Sequence, residues 1–271
     1  MDAVEHTTAF VLEAPPYAAI HLGAEGQLGG EGADRVAGFW RAVGLAPPAE
    51  PDHLAALLGL YARLGEEADA STGDERDRLA RVRRVLFDEH LWTWVPGFAI
   101  AVTELGLPAV SQWATILSTV MTAEAGGSAG RAGTDPVELP LALRSAPAAW
   151  AGGDNIDELL DVMVAPLRSG MVLSRASLLR AARDTGTGYR IGERRFALRA
   201  MMDQDPAGTL AWLAAEARRW AGIHLITRPP DRVSRWWSER ATATATAAEN
   251  LLGQPVATDG TVTPAALGHH H

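Results

Sequence analysis

The feature that most constrains this chain is the spacing of its apolar residues, which recur at intervals of three and four and nowhere alternate at period two over five residues or more. Leu54, Leu57, Leu58, Tyr61 and Leu64 make one stripe, and Leu210, Leu213, Ala217, Trp220 and His224 another. Each set falls on one face of a helix. Further helices are predicted at about 33–43, 75–92, 97–105, 109–124, 155–166, 175–184, 191–203 and 230–251. Their ends carry chemical reasons. Gly44 suits a left-handed C-terminal cap, Asp205-Pro206 supplies an N-cap followed by a first-turn proline, and Ser174 caps a helix opening at Arg175. The predicted fold class is all-α, a single globular helical bundle.

Three segments interrupt the pattern. GAEGQLGGEG (Gly23 to Gly32) and GGSAGRAG (Gly126 to Gly133) are too rich in glycine to sustain a helix. The first reads as a loop, and it never satisfies G-x-G-x-x-G, so it makes a poor dinucleotide site. The second reads as a linker. ATATATAA (Ala241 to Ala248), followed by a Gly-, Pro- and Thr-rich end, is expected to fray after its first turns. Gly268-His269-His270-His271 reads as a purification-tag remnant, which removes three histidines from any metal argument.

Composition excludes much chemistry. All 24 basic side chains are arginine, and there is no lysine and no cysteine. Lysine P-loops, Schiff-base catalysis, thiolate nucleophiles, iron–sulfur clusters and cysteine zinc sites are therefore ruled out. The histidines at 6, 21, 53, 90 and 224 show no paired ligand spacing, so no metal is expected. Residues 1–140 hold 20 acids against 9 arginines, and residues 141–271 hold 13 against 15, within a net charge of −9. That balance argues against general nucleic-acid binding and favours an arginine-bearing partner for the first half. No apolar run approaches the roughly 20 residues that span a bilayer, which makes the cytoplasm the expected location and a membrane partner unexpected.

Two constellations stand out. Glu50-Pro51-Asp52-His53 opens the helix of Leu54 to Leu64, and reads as Glu50 capping, Pro51 at the first helical position and Asp52 in the first turn near the positive end of the dipole. That leaves His53 unexplained. LFDEHLWTWVPGF (Leu86 to Phe98) puts His90 and Trp94 on one face if its helix continues through Trp94. Core packing accounts for Leu86, Phe87 and Phe98, whereas two tryptophans beside a helix end also suit a peptide groove.

Taken in order with Pro15-Pro16-Tyr17, the segments EPDHLAALLGLYARL (Glu50 to Leu64) and LFDEHLWTWVPGF resemble the TorD/DmsD family, which includes the nitrate reductase delta-type assembly proteins. The likeness covers roughly residues 8–125. It implies an all-helical cytoplasmic chaperone, with no catalysis of its own, that binds the twin-arginine signal peptide and the immature catalytic subunit of a molybdopterin-dependent oxidoreductase until the cofactor is inserted. By resemblance, Asp52 and His53 fall on the family's acid and histidine implicated in leader binding, and Trp94 on its tryptophan before the proline. Tyr17, His90 and Trp92 complete the candidate partner-binding set. The resemblance implies no cofactor beyond weak binding of guanine nucleotide, and a monomer or a swapped homodimer.

The likeness has departures. Family members carry further helices before the Pro-Pro-Tyr region, whereas fourteen residues precede it here, and the family's Glu-Ser after the tyrosine is Ala18-Ala19. The expected organisation is a short TorD-like domain over 1–125, a glycine-rich linker over 126–137, an arginine-rich helical extension over 138–252 packed on the first part, and a flexible tail over 253–271. Arg168-Ser169-Gly170 and the stretch Arg190 to Arg195 resemble elements of long family variants. The alternative for the second half is a DNA-binding regulator with a helix-turn-helix-like segment near 174–203, where eight arginines meet two acids. The plainer reading makes Leu178, Leu179, Ile191, Phe196, Leu198 and Met201 a small core, with the arginines paired to the acidic first half.

Overall fold

The computed structural model describes residues 1–24, 26–129, 138–153, 155–226 and 231–253, the side chains of 127–129 excepted. Among these the chain is all-α and has no strand. In order come α1 (Ala3–Thr7), π1 (Thr8–Glu13, a π-helical turn), α2 (Ala18–Leu22), α3 (Gly30–Ala42), α4 (Leu54–Ala70), α5 (Gly73–Val85), π2 (Leu86–Leu91, also π-helical), α6 (Val95–Thr103) and α7 (Pro108–Ala129). Then follow α8 (Leu141–Arg144), α9 (Ile156–Val164), α10 (Pro166–Ser169), α11 (Arg175–Thr185), α12 (Arg194–Gln204), α13 (Pro206–Ile226) and α14 (Arg232–Leu252).

Both apolar stripes read from the sequence face inward. Leu54, Leu57, Leu60 and Leu64 are buried on α4, as are Leu210, Leu213, Ala217, Trp220 and His224 on α13. The caps hold as well: Ser174 Oγ accepts the Ser177 N–H at 3.0 Å, Asp205 accepts that of Gly208 at 2.9 Å, and Gly44 has φ +82°. Two apolar cores form, one centred on α4, π2, α6 and α7, the other on α9 to α14. They are joined by exchange of residues: Val233 and Trp237 of α14 lie in the first core, and Ala101 of α6 in the second.

Several expectations need correcting. Gly126 does not stop α7, whose backbone stays helical to Ala129; residues 130–137 of the expected linker lie outside the described residues. The Ala-Thr repeat does not fray. Ala241, Thr244, Ala245, Ala247 and Ala248 are buried on α14, which pairs with α13 more extensively than any other two elements. Small side chains let the two backbones approach closely, and continuous burial outweighs the poor helix propensity of threonine. The expected tail begins at Gly253, and everything after it, tag remnant included, lies outside the described residues.

The small core near 174–203 is also different. Leu178, Leu198 and Met201 are buried, but Ile191 is 90% exposed and Phe196 50% exposed. Its arginines mostly pair within their own half. Arg195 reaches Asp157 and Asp161, Arg199 reaches Asp157 and Asp203, and Arg180 reaches Glu216. Arg219, on α13, does cross to Glu104 of the first half.

Candidate partner-binding site

The sequence pieces that carried the resemblance meet in space. Residues 16–18 run antiparallel to 52–54: the Leu54 N–H donates to Pro16 O at 2.8 Å and the Ala18 N–H to Asp52 O at 3.0 Å, with Tyr17 and His53 as the bridged pair. Their rings meet edge to face at 4.8 Å. Tyr17 donates its hydroxyl to Glu50 at 2.9 Å, and partial burial followed by that carboxylate raises its pKa.

Asp52 does something the sequence did not suggest. It is buried, and its Oδ2 accepts the Ala19 N–H at 2.9 Å, so it caps α2 from 33 residues away rather than serving the first turn of α4. The cap of α4 is His53, whose Nδ1 accepts the Ala55 N–H at 3.1 Å. Glu50 and Pro51 lie in the turn before it, outside the helix, a correction to the expected cap and first position.

Helix α2 then hands the connection inward. His21 stacks on Trp94 at 4.9 Å and 20°, and burial, aided by Arg194, pushes its pKa down to about 3. Its Nε2 has no hydrogen-bond partner. Trp94 is buried and donates Nε1 to His90 O at 2.8 Å. His90, buried against Phe39, titrates near 4, driven chiefly by desolvation and then by Arg35. The expected helix through Trp94 does not exist: π2 ends at Leu91, residues 92–94 turn, and α6 starts at Val95. The wide turn is what lets the Trp94 indole reach back to the His90 carbonyl.

Trp92 and Trp94 therefore point to different places. Trp92 donates to Asp231 at the N-cap of α14, while Trp237 of α14 donates to Thr93 O at 2.9 Å, so two indoles fasten the 92–94 turn to the C-terminal helix. Trp92 also lines a cleft of about 410 Å³ between α6, α7 and α13, whose other walls include Val95, Ile100, Met121, Thr122 and Ile223. The cleft is predominantly apolar, with the Glu104–Arg219 ion pair at one edge.

Of the six candidates, Tyr17, Asp52 and His53 form one corner, Trp94 and His90 form a buried column joined to it through α2, and Trp92 alone lines open space. His21, Asp231 and Trp237 were missed. The sequence did hold a signal for Asp231: its side chain takes the Ser234 N–H and Ser234 returns the bond, a capping box ahead of an apolar face.

No three histidine or carboxylate side chains converge as a metal site among the described residues. The glycines of the first loop also have plain reasons, since a Cβ at Gly32 would lie 2.8 Å from Ala19 Cα and one at Gly26 2.9 Å from Ala165 Cα. No described helix is long and apolar enough to cross a membrane. Fold and site together define a class, an all-helical protein whose notable surface is an apolar cleft beside a buried aromatic column. Residues 3–99, from α1 into α6, match the family described as nitrate reductase delta subunit, and this part of the chain belongs to that family of molybdoenzyme maturation chaperones rather than catalysts. Nothing among the curated proteins or the solved structures matches the chain.

Proposed function

We propose that the protein is a cytoplasmic chaperone that binds the twin-arginine leader and the immature catalytic subunit of a molybdopterin-dependent oxidoreductase and releases them after cofactor insertion. The observation that supports this most is the family match, which spans all six candidate residues. The apolar cleft beside Trp92 suits the leader's uncharged run, and an acidic first half suits its arginines. Release follows from differential affinity: a subunit that folds around its cofactor withdraws the apolar segments that the chaperone holds. Asp52, His90 and Trp94 serve this by fixing α2 and the 92–94 turn, which set one wall of the cleft.

Titration of a labelled twin-arginine leader from a molybdopterin oxidoreductase tests the reading. Thr122→Arg, placed on the partly exposed wall of the cleft, is expected to weaken binding at least tenfold, about 1.4 kcal/mol, without changing the melting temperature. Equal affinity in a folded Thr122→Arg variant removes the cleft from the mechanism. Absence of any leader binding by the parent chain removes the reading itself.

A further inference from the structure

We propose that residues 3–13 are a displaceable strap over a second apolar site, and that an arginine-flanked apolar segment of the client displaces them by inserting an aromatic or leucine side chain where Phe10 now sits. The identity of the partner rests on the proposed function; the strap does not.

The strap is α1 followed by π1, and it is held by few side chains. Phe10 packs on Trp113 of α7 at 5.2 Å and on Phe98 of α6 at 6.3 Å, and Ala9 is buried beside it. At its far end Glu13 accepts the Ala176 N–H at the start of α11, at 2.9 Å. The rest faces outward, with Val4 74% and Val11 59% exposed and Leu12 exposed beside them. Neither helical piece exceeds six residues, and helices this short have little stability of their own.

Beneath lies a formed site. Phe98 is fully buried, and Trp113, His21 and Trp94 surround it, so lifting the strap exposes an aromatic floor already fixed by α6 and α7. The electrostatics favour exchange. Asp2, Glu5 and Glu13 make the strap acidic on a half that holds 20 acids against 9 arginines, so it sits there without charge complementarity, which an arginine-bearing segment gains.

The test uses the full chain and a fluorescent peptide copy of residues 1–14. The peptide is expected to bind the Phe10→Ala chain at least tenfold more tightly than the unmodified chain, where the attached strap competes. A copy carrying arginine at 2, 5 and 13 should bind more tightly still at low salt, and a copy with Phe10→Ala should bind neither chain. Equal binding to both chains, or none to a folded Phe10→Ala chain, overturns the proposal. Hydrogen exchange on the unmodified chain decides independently of the variant: strap amides should exchange at least a hundredfold faster than those of α6, and equal protection overturns the strap. No leader enters these assays, so the strap and the proposed function fail separately.

Discussion

The strap and the α13–α14 pair are both helical and both lie against the rest of the molecule, yet they hold on in opposite ways. Along α14 a succession of small residues, Ala241, Thr244, Ala245 and Ala248, meets Leu213, Ala214, Ala217 and Ala221 of α13 in one core, so cohesion is spread over many close backbone approaches. The strap depends on one ring and one carboxylate. Adhesion spread along 21-residue helices gives a scaffold, whereas adhesion gathered at a single anchor gives a part that can leave. The Trp92–Asp231 and Trp237–Thr93 bonds connect the scaffold to the site, which is how a C-terminal helix outside the family match comes to shape a cleft within reach of it.

The strongest way to break this comparison is Gly170→Ala. Gly170 has φ +78°, and a Cβ there would stand 2.4 Å from Ala241 N, against a helix with no room to yield. Strain and overpacking together should cost about 3–5 kcal/mol, read as a fall in the urea midpoint at constant m. A loss below about 1 kcal/mol would show that α14 is not the rigid partner described.

Acid should separate the two regions next. His21 titrates near 3 and His90 near 4 in the folded chain, against about 6.5 unfolded, so the unfolded chain binds protons first as pH drops. Folded pKa values below the unfolded one mean that this stability is complete above about pH 6.5 and is lost as pH falls toward 4, by about 1.4 kcal/mol per unit for each histidine. Both lie on the strap side. Hydrogen exchange at pH 5, corrected for intrinsic rates, should loosen α2 and the strap before α13 and α14; uniform loosening contradicts the contrast.

Asp52→Ala removes the cap on α2 and should cost about 1.5–3 kcal/mol, more than a first-turn acid acting only on a dipole, which contributes about 0.3–1 kcal/mol. A chemical-denaturation value inside the lower range would return Asp52 to a surface role. The smallest effect carries the opposite sign. Gly222 is exposed on α13, and a Cβ added there would meet nothing within 4 Å, so Gly222→Ala should stabilise by about 0.5–1 kcal/mol, read as a rise in the same urea midpoint.

What was legible in the sequence was what depends on neighbours in the chain. The long helices, the caps at Ser174, Asp205 and Gly44 and the inward stripes follow from local spacing, and the TorD/DmsD resemblance over the first part rested on short strings that the family match then covered. What was not legible depends on distant pairing. Asp52 caps a helix 33 residues away, and no local pattern announces that. Composition misled for Ala241 to Ala248, because low complexity signals disorder only when nothing packs against it, and α13 does. His21 escaped notice because α2, five residues long, is too short to show a period.

The π turn at 86–91 carries a consequence for how the sequence can vary in length. A π-helical turn holds one more residue than the α-helical turn it replaces, so deleting a single residue there leaves a smoother helix behind α5. The same deletion turns everything downstream by about 100° relative to α5. Trp92 would swing away from Asp231, Thr93 from the Trp237 indole, and Trp94 from the His90 carbonyl, in one step. The molecule is thus tolerant of substitution at several positions in that turn and intolerant of any change in its count, because the extra residue sets the phase between the first bundle and the last helix.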